Sequence, residues 1–515
     1  MAQRLTALDA AFLYAERPHQ PMHVAGLYIF DGKPEIPGRP GVLGIFRTVE
    51  ERLHLVPRYR QRIQTVPLGL AHPVWVDDPD FDLAYHLRRL ALPAPGGMQE
   101  LLEVVARLHA RPLDRTRPLW EMYVIEGLKG DRVAVYAKTH HAMVDGMSSV
   151  DVATVLMDFD AQGWHPTGVE PFAPPPLRSS VEMVQDVVRD TVGGIVAAAG
   201  SLVSVATGVA SSPRSIPGAV LRRAAEASRL RELLGLLRPA PESPLNVPVG
   251  GARRIALQAV PLARVKAIKN ALGGTVNDVV LAAVGESIHT FLAHRGADIP
   301  DGLTYRVMVP VSVRDDSQKM ALGNRVSAMF VDLPVGRMPA RKRLQLVSRE
   351  MKDLKEQRQA VAADQLVDLT SWAPATLHSL AGRLEFTAQR LVNLVVSNVP
   401  GIQVPVYAGG ARLLEAYPLL PVGANMGVVV CVTSYNGGMY FGVVGDYDRI
   451  PDVEVLAAGV ATGIEALERA AGVRAPKRVV RPRRTGPPVR ASAPTRAQVR
   501  DAARQAATTA AGAVS

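Results

Sequence analysis

The sequence predicts an α/β protein made of two similar-sized halves joined by a long crossover. Segments of period-two hydrophobicity alternate with segments of helical spacing on both sides of a proline-rich stretch. The chain is 515 residues long, which leaves room for two to four domains of about 150 residues each. Its residues are 48% hydrophobic and 21% charged, a balance that excludes a disordered chain.

Along the chain, residues 23–32 (HVAGLYIFDG) and 132–141 (RVAVYAKTHH) alternate and are expected as strands, while residues 41–55 and 98–108 have helical spacing. Residues 1–160 are read as one α/β domain. Residues 162–177 are too rich in proline for regular structure and open a crossover spanning 161–250. Within it, residues 180–210 place Val181, Val184, Val188, Val192 and Ile195 on one helical stripe. The stretch 191–213 is uncharged over 23 residues, yet only seven of these are Val, Ile or Leu. A helix packed on the protein, a helix lying on lipid and a bilayer span all stay open there. A second α/β block, 251–471, is expected to hold helices at 262–272 and 277–295. Its expected strands are 305–313, 391–399, 424–435 and 438–446. Residues 472–515, rich in Pro, Arg and Ala, are expected to be disordered.

The formal net charge is +11, and its placement decides what it means. Residues 473–515 carry ten Lys and Arg against one acid, Asp501, so the rest of the chain is nearly neutral. No nucleic acid partner is expected for the body. An anionic membrane or lipid-body surface fits the tail, and so does a solvated tail with no partner. The single cysteine, Cys431, excludes an internal disulfide and a Cys-based zinc site; it lies among valines as a small buried hydrophobe. The first twenty residues do not read as a signal peptide, so a cytoplasmic protein is expected, with peripheral contact at a membrane or lipid body.

The richest segment for chemistry is KTHHAMVDGMSSVD, residues 138–151. Alternation puts Val133, Val135, Ala137, Thr139 and His141 on one face of the strand and Ala134, Tyr136, Lys138 and His140 on the other. The two histidines therefore cannot both enter one site. Asp145-Gly146 marks a turn, and Ser148 or Ser149 can cap a following helix. A strand end followed by His, turn and helix is where open α/β sheets place reactive groups. Histidine suits general-base work because it titrates near neutrality. No G-x-S-x-G elbow, H-E-x-x-H pair or P-loop is present, so neither a covalent nucleophile nor a metal is expected. A pair of core histidines beside a surface turn is the plain alternative. The pattern H-H-x-x-x-D-G arises by chance about once in a thousand chains of this composition.

HHAMVDG resembles the HHxxxDG signature of the chloramphenicol-acetyltransferase-like superfamily. Further blocks narrow the resemblance to the bacterial wax ester synthase/acyl-CoA:diacylglycerol acyltransferases: LTALDAAFLYAERPHQPMHVAGLYIF, RPLWEMYVIEGL, TVNDVVLAAV, VPVSVR followed by LGNRVSAMFVDLPV, VVSNVPG and SYNGGMYFGVVGD. They follow in family order over residues 4–470. The resemblance implies two chloramphenicol-acetyltransferase-like domains with the active-site channel between them. It implies an O-acyltransferase that moves a long-chain acyl group from acyl-CoA to diacylglycerol, with fatty alcohol as an alternative acceptor. His141 would be the proton acceptor, with His140 beside it, and Asp145, followed by Gly146, would be structural and paired with Arg58, Arg62 or Arg314. Trp120, Asn277 and Asp278 would line the substrate channel. No cofactor and no metal are implied, since acyl-CoA is a substrate. A carrier-protein-dependent acyltransferase and a non-catalytic lipid-surface protein are the competing readings. Each block also has a plainer use: Trp120 as core, Asn277 and Asp278 as helix caps, and residues 397–401 as a turn.

Overall fold

The structure, a computed structural model, describes residues 3–67, 70–143, 156–163, 239–312, 326–356 and 391–473, with isolated positions between 172 and 189. Asp145, Gly146, Arg314, most of the 180–210 stripe and the tail beyond 473 lie outside the described residues. The amino-terminal half supplies β1 (Gln3–Arg4), α1 (Ala7–Ala15), β2 (His23–Pro34), α2 (Ile45–Arg52), β3 (Gln61–Gln64), β4 (Val74–Asp77), α3 (Leu83–His86), β5 (Leu87–Ala91), α4 (Met98–Ala110), β6 (Trp120–Leu128) and β7 (Arg132–His140). The other half supplies β8 (Arg253–Pro261), α5 (Leu262–Leu272), α6 (Val276–His294), β9 (Thr304–Ser312), β10 (Val326–Pro334), α7 (Ala340–Glu356), β11 (Leu394–Val399), β12 (Tyr407–Ala408), β13 (Ala411–Leu419), β14 (Val428–Tyr435), β15 (Gly438–Asp446) and α8 (Val453–Ala471).

Two six-stranded sheets dominate. One runs β12-β13-β2-β7-β6-β5 and the other β10-β9-β11-β14-β15-β8, beside a small β1-β4-β3 sheet. The first sheet therefore takes β12 and β13 from the carboxy-terminal half, with β13 antiparallel to β2. Turn chemistry sets the hairpins. Asn436 and Gly437 join β14 to β15 with φ of 42° and 81°, the left-handed pair that a two-residue hairpin loop requires.

The expected strands 23–32 and 132–141 correspond to β2 and β7, and β7 stops at His140, so His141 is the first residue past it. The expected 41–55 helix is broken into α2 flanked by 3-10 turns at Gly41–Gly44 and Leu53–Leu55. Gly44 at its start and Pro57 beyond its end deprive it of longer α-helical continuity.

α6 is apolar nearly all round because it is buried nearly all round, with Val279, Leu281, Ala283 and Ile288 at 0% exposure. α8 crosses it closely. A Cβ at Gly459 would sit 2.8 Å from Ser287 Cα, and one at Gly463 would sit 2.7 Å from the Ala283 carbonyl oxygen, so glycine at both positions permits the approach. One core fills this half, while the other spans the first sheet and takes in Val429, Cys431, Tyr440 and Val444 of the second. Met183, in the 180–210 segment but off the expected stripe, is buried against Val74 and Val76 of the small sheet, whereas Val181 of the stripe is exposed. Among the described residues no helix is long and apolar enough to cross a membrane.

Candidate active site

β7 sends its side chains to two different places. Val135, Ala137 and Thr139 line a cavity of about 190 Å³ between the two large sheets. Its walls include Met122 and Leu413 from one sheet and Val399 and Cys431 from the other. They are mainly apolar, with Lys138 and Glu121 at the wall as well. His141 comes two residues after Thr139, past the end of β7, and is not itself on the cavity wall. It is half-buried, and its ring stacks on Phe12 of α1 at 3.9 Å between centroids and 9° between planes. Its backbone N–H donates to the Met22 carbonyl at 2.8 Å.

The opposite face of β7 packs toward α4 and, beyond Ala134, is polar. Tyr136 Oη lies 3.0 Å from His109 Nδ1. Lys138 Nζ donates to the carbonyls of Leu108 and Arg111 at 3.3 and 3.0 Å and lies 3.1 Å from Glu121. It thus caps the carboxy-terminal end of α4, where a cation meets both the free carbonyls and the helix dipole. His140 is fully buried, and its Nδ1 accepts the Ala142 N–H at 3.0 Å. An accepting Nδ1 carries no proton, so the ring proton lies on Nε2, which faces Glu16 Oε1 at 3.5 Å. Burial pushes the Glu16 carboxyl up, but His140, the Met22 N–H and Arg115 together hold it down at about 2. Burial drives the neighbouring His23 well below the ordinary histidine range and His109 down to about 3. The two rings meet edge-on at 4.8 Å.

The structure separates His140, held by Ala142 and Glu16, from His141, which lies past the end of β7 against Phe12. Trp120 is core and wall at once: it is 1% exposed, its Nε1 donates to the Tyr59 carbonyl at 2.8 Å, His86 stacks on it at 4.5 Å, and it borders the cavity. Asp278 is a cap. Its Oδ2 accepts the Thr275 N–H at 2.9 Å, and its own N–H donates to Thr275 Oγ1 at 3.2 Å, a reciprocal box at the start of α6. Asn277 instead meets Asn398, whose Nδ2 donates to Asn277 Oδ1 at 3.2 Å, joining the ND and SNVPG blocks. Neither Asn277 nor Asp278 is on the cavity wall, whereas Ser397, Val399 and Gly401 are. Two candidate partners of Asp145 have other company. Arg58 bonds Gln3 Oε1 at 2.5 Å and lies over the Trp75 ring, while Arg62 bonds the Thr116 carbonyl at 3.2 Å and lies 3.5 Å from Asp78.

Sequence reasoning passed over Phe12, Glu16, Met22 and Arg115, the immediate surroundings of the two histidines. The signal was present in LDAAFLYAERPHQPMH: Phe12 and Glu16 are four residues apart, on one helical face.

The family model for the wax ester synthase/diacylglycerol acyltransferase catalytic domain matches residues 5–280, and that for its C-terminal domain matches residues 322–468. A Mycobacterium tuberculosis protein carrying a diacylglycerol O-acyltransferase name is 36% identical over 476 residues, covering 91% of this chain and 100% of its own length. A second from Mycobacterium bovis is 34% identical over 470 residues, covering 90% of this chain and 98% of its own. The structure of the wax ester synthase/diacylglycerol acyltransferase from Marinobacter aquaeolei VT8 covers 92% of this chain and 100% of that one, at 28% identity and a TM-score of 0.62. The starter condensation domain of rhizomide synthetase shares the fold, at 16% identity and a TM-score of 0.55, over 92% of this chain and 95% of that one. The chain belongs to the wax ester synthase/diacylglycerol acyltransferase family and is an acyltransferase of it.

Proposed function

We propose that this acyltransferase moves a long-chain acyl group from acyl-CoA to diacylglycerol, giving triacylglycerol and CoA, with His141 as general base. The observation that carries this reading is the division of β7. His141 comes two residues after Thr139, the last cavity-lining residue of β7, and stacks on Phe12, while His140 is buried and held by Ala142 and Glu16. A base just past a strand that lines an apolar cavity suits a reaction in which a hydroxyl must lose its proton beside a hydrocarbon chain.

His141 takes the proton of the acceptor hydroxyl as that oxygen attacks the thioester carbon. The C–O bond forms, the C–S bond breaks, and the imidazolium returns the proton to the departing CoA sulfur. No acyl-enzyme is needed, and Cys431 on the cavity wall is 1% exposed, with burial pushing its thiol up, away from the reactive thiolate. Fatty alcohol is the second acceptor, supported by the double name of the Marinobacter protein. The test supplies radiolabelled long-chain acyl-CoA with diacylglycerol, with fatty alcohol, or with neither, and separates the lipids. Label in triacylglycerol is expected. Label appearing only as free fatty acid, or none transferred at all, overturns the reading.

A further inference from the structure

The amino-terminal block LDAAFLYAERPHQPMH brings one carboxylate to the back of both histidines, and no step of the reaction uses it. Glu16 lies at the carboxy-terminal end of α1 with only 6% of its side chain exposed. Its Oε1 accepts the Met22 N–H at 3.0 Å and faces His140 Nε2 at 3.5 Å. Its Oε2 accepts two bonds from Arg115, at 2.9 and 2.7 Å from Nε and Nη2. Arg115 also holds the Leu13 carbonyl at 2.7 Å, so the carboxylate is fixed to its own helix.

Two lines run from that carboxylate to His141. Through Met22, whose N–H Glu16 accepts, the Met22 carbonyl is aimed at the His141 N–H, 2.8 Å away. Through His140, an anionic oxygen near Nε2 favours the proton there and leaves Nδ1 to accept the Ala142 N–H at 3.0 Å. The backbone N–H groups of residues 141 and 142 are thus both pinned. One helical turn before Glu16, Phe12 stacks on the His141 ring, so α1 governs the backbone and the ring together.

We propose that Glu16 is a positioning residue for acyl transfer: by accepting from Met22 and setting the His140 tautomer, it fixes the backbone that aims His141. This rests on the reading of His141 as the base. A group that aims a base affects the transition state more than substrate binding, so its loss lowers kcat and leaves KM nearly alone. Glutamine keeps an oxygen that can accept from Met22 and His140, whereas alanine keeps nothing. Arg115 is 46% exposed, so water can solvate it when its partner is gone.

The experiment has two parts on the full-length chain. ¹⁵N NMR of histidine-labelled protein, with the His140 signals identified by their loss in His140→Asn, is expected to show the proton on Nε2. Kinetics with long-chain acyl-CoA and diacylglycerol are expected to show Glu16→Gln retaining at least about a third of kcat and Glu16→Ala losing about tenfold or more, with both KM values within about twofold. A His140 proton on Nδ1 in the wild type overturns the role. So does a folded Glu16→Ala with normal kcat, a loss carried by KM, or a Glu16→Gln as slow as Glu16→Ala. Should Glu16→Ala not fold, the tautomer and the comparison of Glu16→Gln with His141→Ala decide: a Gln variant as slow as His141→Ala overturns the role. Normal turnover by His141→Ala overturns the base reading and this role with it. A slow His141→Ala beside an active, folded Glu16→Ala overturns the positioning alone.

Discussion

His140 and His141 are adjacent in sequence, yet His140 ends β7 and His141 lies just past it in a different environment. Toward α4 the strand presents Tyr136, Lys138 and His140, each engaged with a partner: His109, the end of α4 with Glu121, and Ala142. Toward the other sheet it presents Val135, Ala137 and Thr139 along a cavity. Polar groups on the first side are consumed by structure, because a buried polar atom without a partner is costly. On the second side the apolar row ends at Thr139, and His141 lies just past the strand with its ring against Phe12. The contrast teaches that the position of a motif residue on the pleat decides its role before its own chemistry does.

The strongest way to break that contrast is to remove each histidine in turn. His141→Ala is expected to lower kcat by about 10²- to 10⁴-fold, the usual contribution of a general base, with little change in melting temperature. His140→Ala is expected to cost less in kcat and more in stability, about 1 to 3 kcal/mol, because the buried Ala142 N–H loses its acceptor. Turnover and thermal melting of both variants check this. A His140→Ala protein that is fully stable and slower than His141→Ala reverses the two assignments.

The structural side of β7 is expected to yield the next largest effect. Lys138→Met leaves Glu121 without its 3.1 Å partner and α4 without the donor on its terminal carbonyls. Arg88 remains 3.5 Å from Glu121, so the loss is set at about 3 kcal/mol, the low end for breaking a buried pair. Urea denaturation measures it. An unchanged midpoint would mean that Lys138 is solvated and that the α4-facing side is not consumed by structure.

The sequence made one half of this contrast legible. Alternation through RVAVYAKTHH was enough to assign the faces, since pleating has period two whatever the partners are. It could not show that α1 closes over both histidines, because Glu16 and Arg115 are 99 residues apart and meet only through the fold. Nor could it show β13 joining β2, a pairing between residues 25–34 and 411–419 that no local pattern encodes. Asn277 and Asp278 read equally well as caps or as channel residues. The structure gives Asp278 to the cap and Asn277 to Asn398, a division between adjacent residues of the same kind as that between the histidines.

Acid provides a smaller and graded test of the α4-facing side. Burial holds His109 at about 3 and drives His23 well below the usual range. In each case the unfolded chain binds a proton, near pH 6.5, before the folded one does, so stability falls as pH drops below about 6.5 and keeps falling toward the folded values. Between pH 7 and 5 each such histidine is expected to cost roughly 2 kcal/mol. Glu16 acts below that window: its folded value of about 2 is depressed, so its contribution is intact at pH 5 and is lost as pH falls from about 4.5 toward 2. Replacing His109 with Gln is expected to flatten the pH 5 to 7 slope of denaturation free energy without moving the lower step. An unchanged slope would mean that His109 charges freely in the folded protein.

The smallest expected effect concerns the second adjacent pair, at the start of α6. Asp278 satisfies the Thr275 N–H, and removing a capping-box member typically costs about 1 kcal/mol. Its other oxygen, Oδ1, is buried without a hydrogen-bond partner, so truncation also relieves an unsatisfied atom and offsets part of that cost. Asp278→Ala is therefore expected to lose no more than about 1 kcal/mol, with activity per folded molecule unchanged. Asn277 makes one side-chain bond at 3.2 Å across to Asn398 and is half-buried, so Asn277→Ala is expected to cost about 0.5 to 1 kcal/mol. A double-mutant cycle with Asn398→Ala isolates that bond, because the two residues touch through it. A coupling near zero in stability, combined with a shared loss of kcat, would move Asn277 and Asn398 to the chemical side of the division, and the ND block would then have to be read as His141 is read.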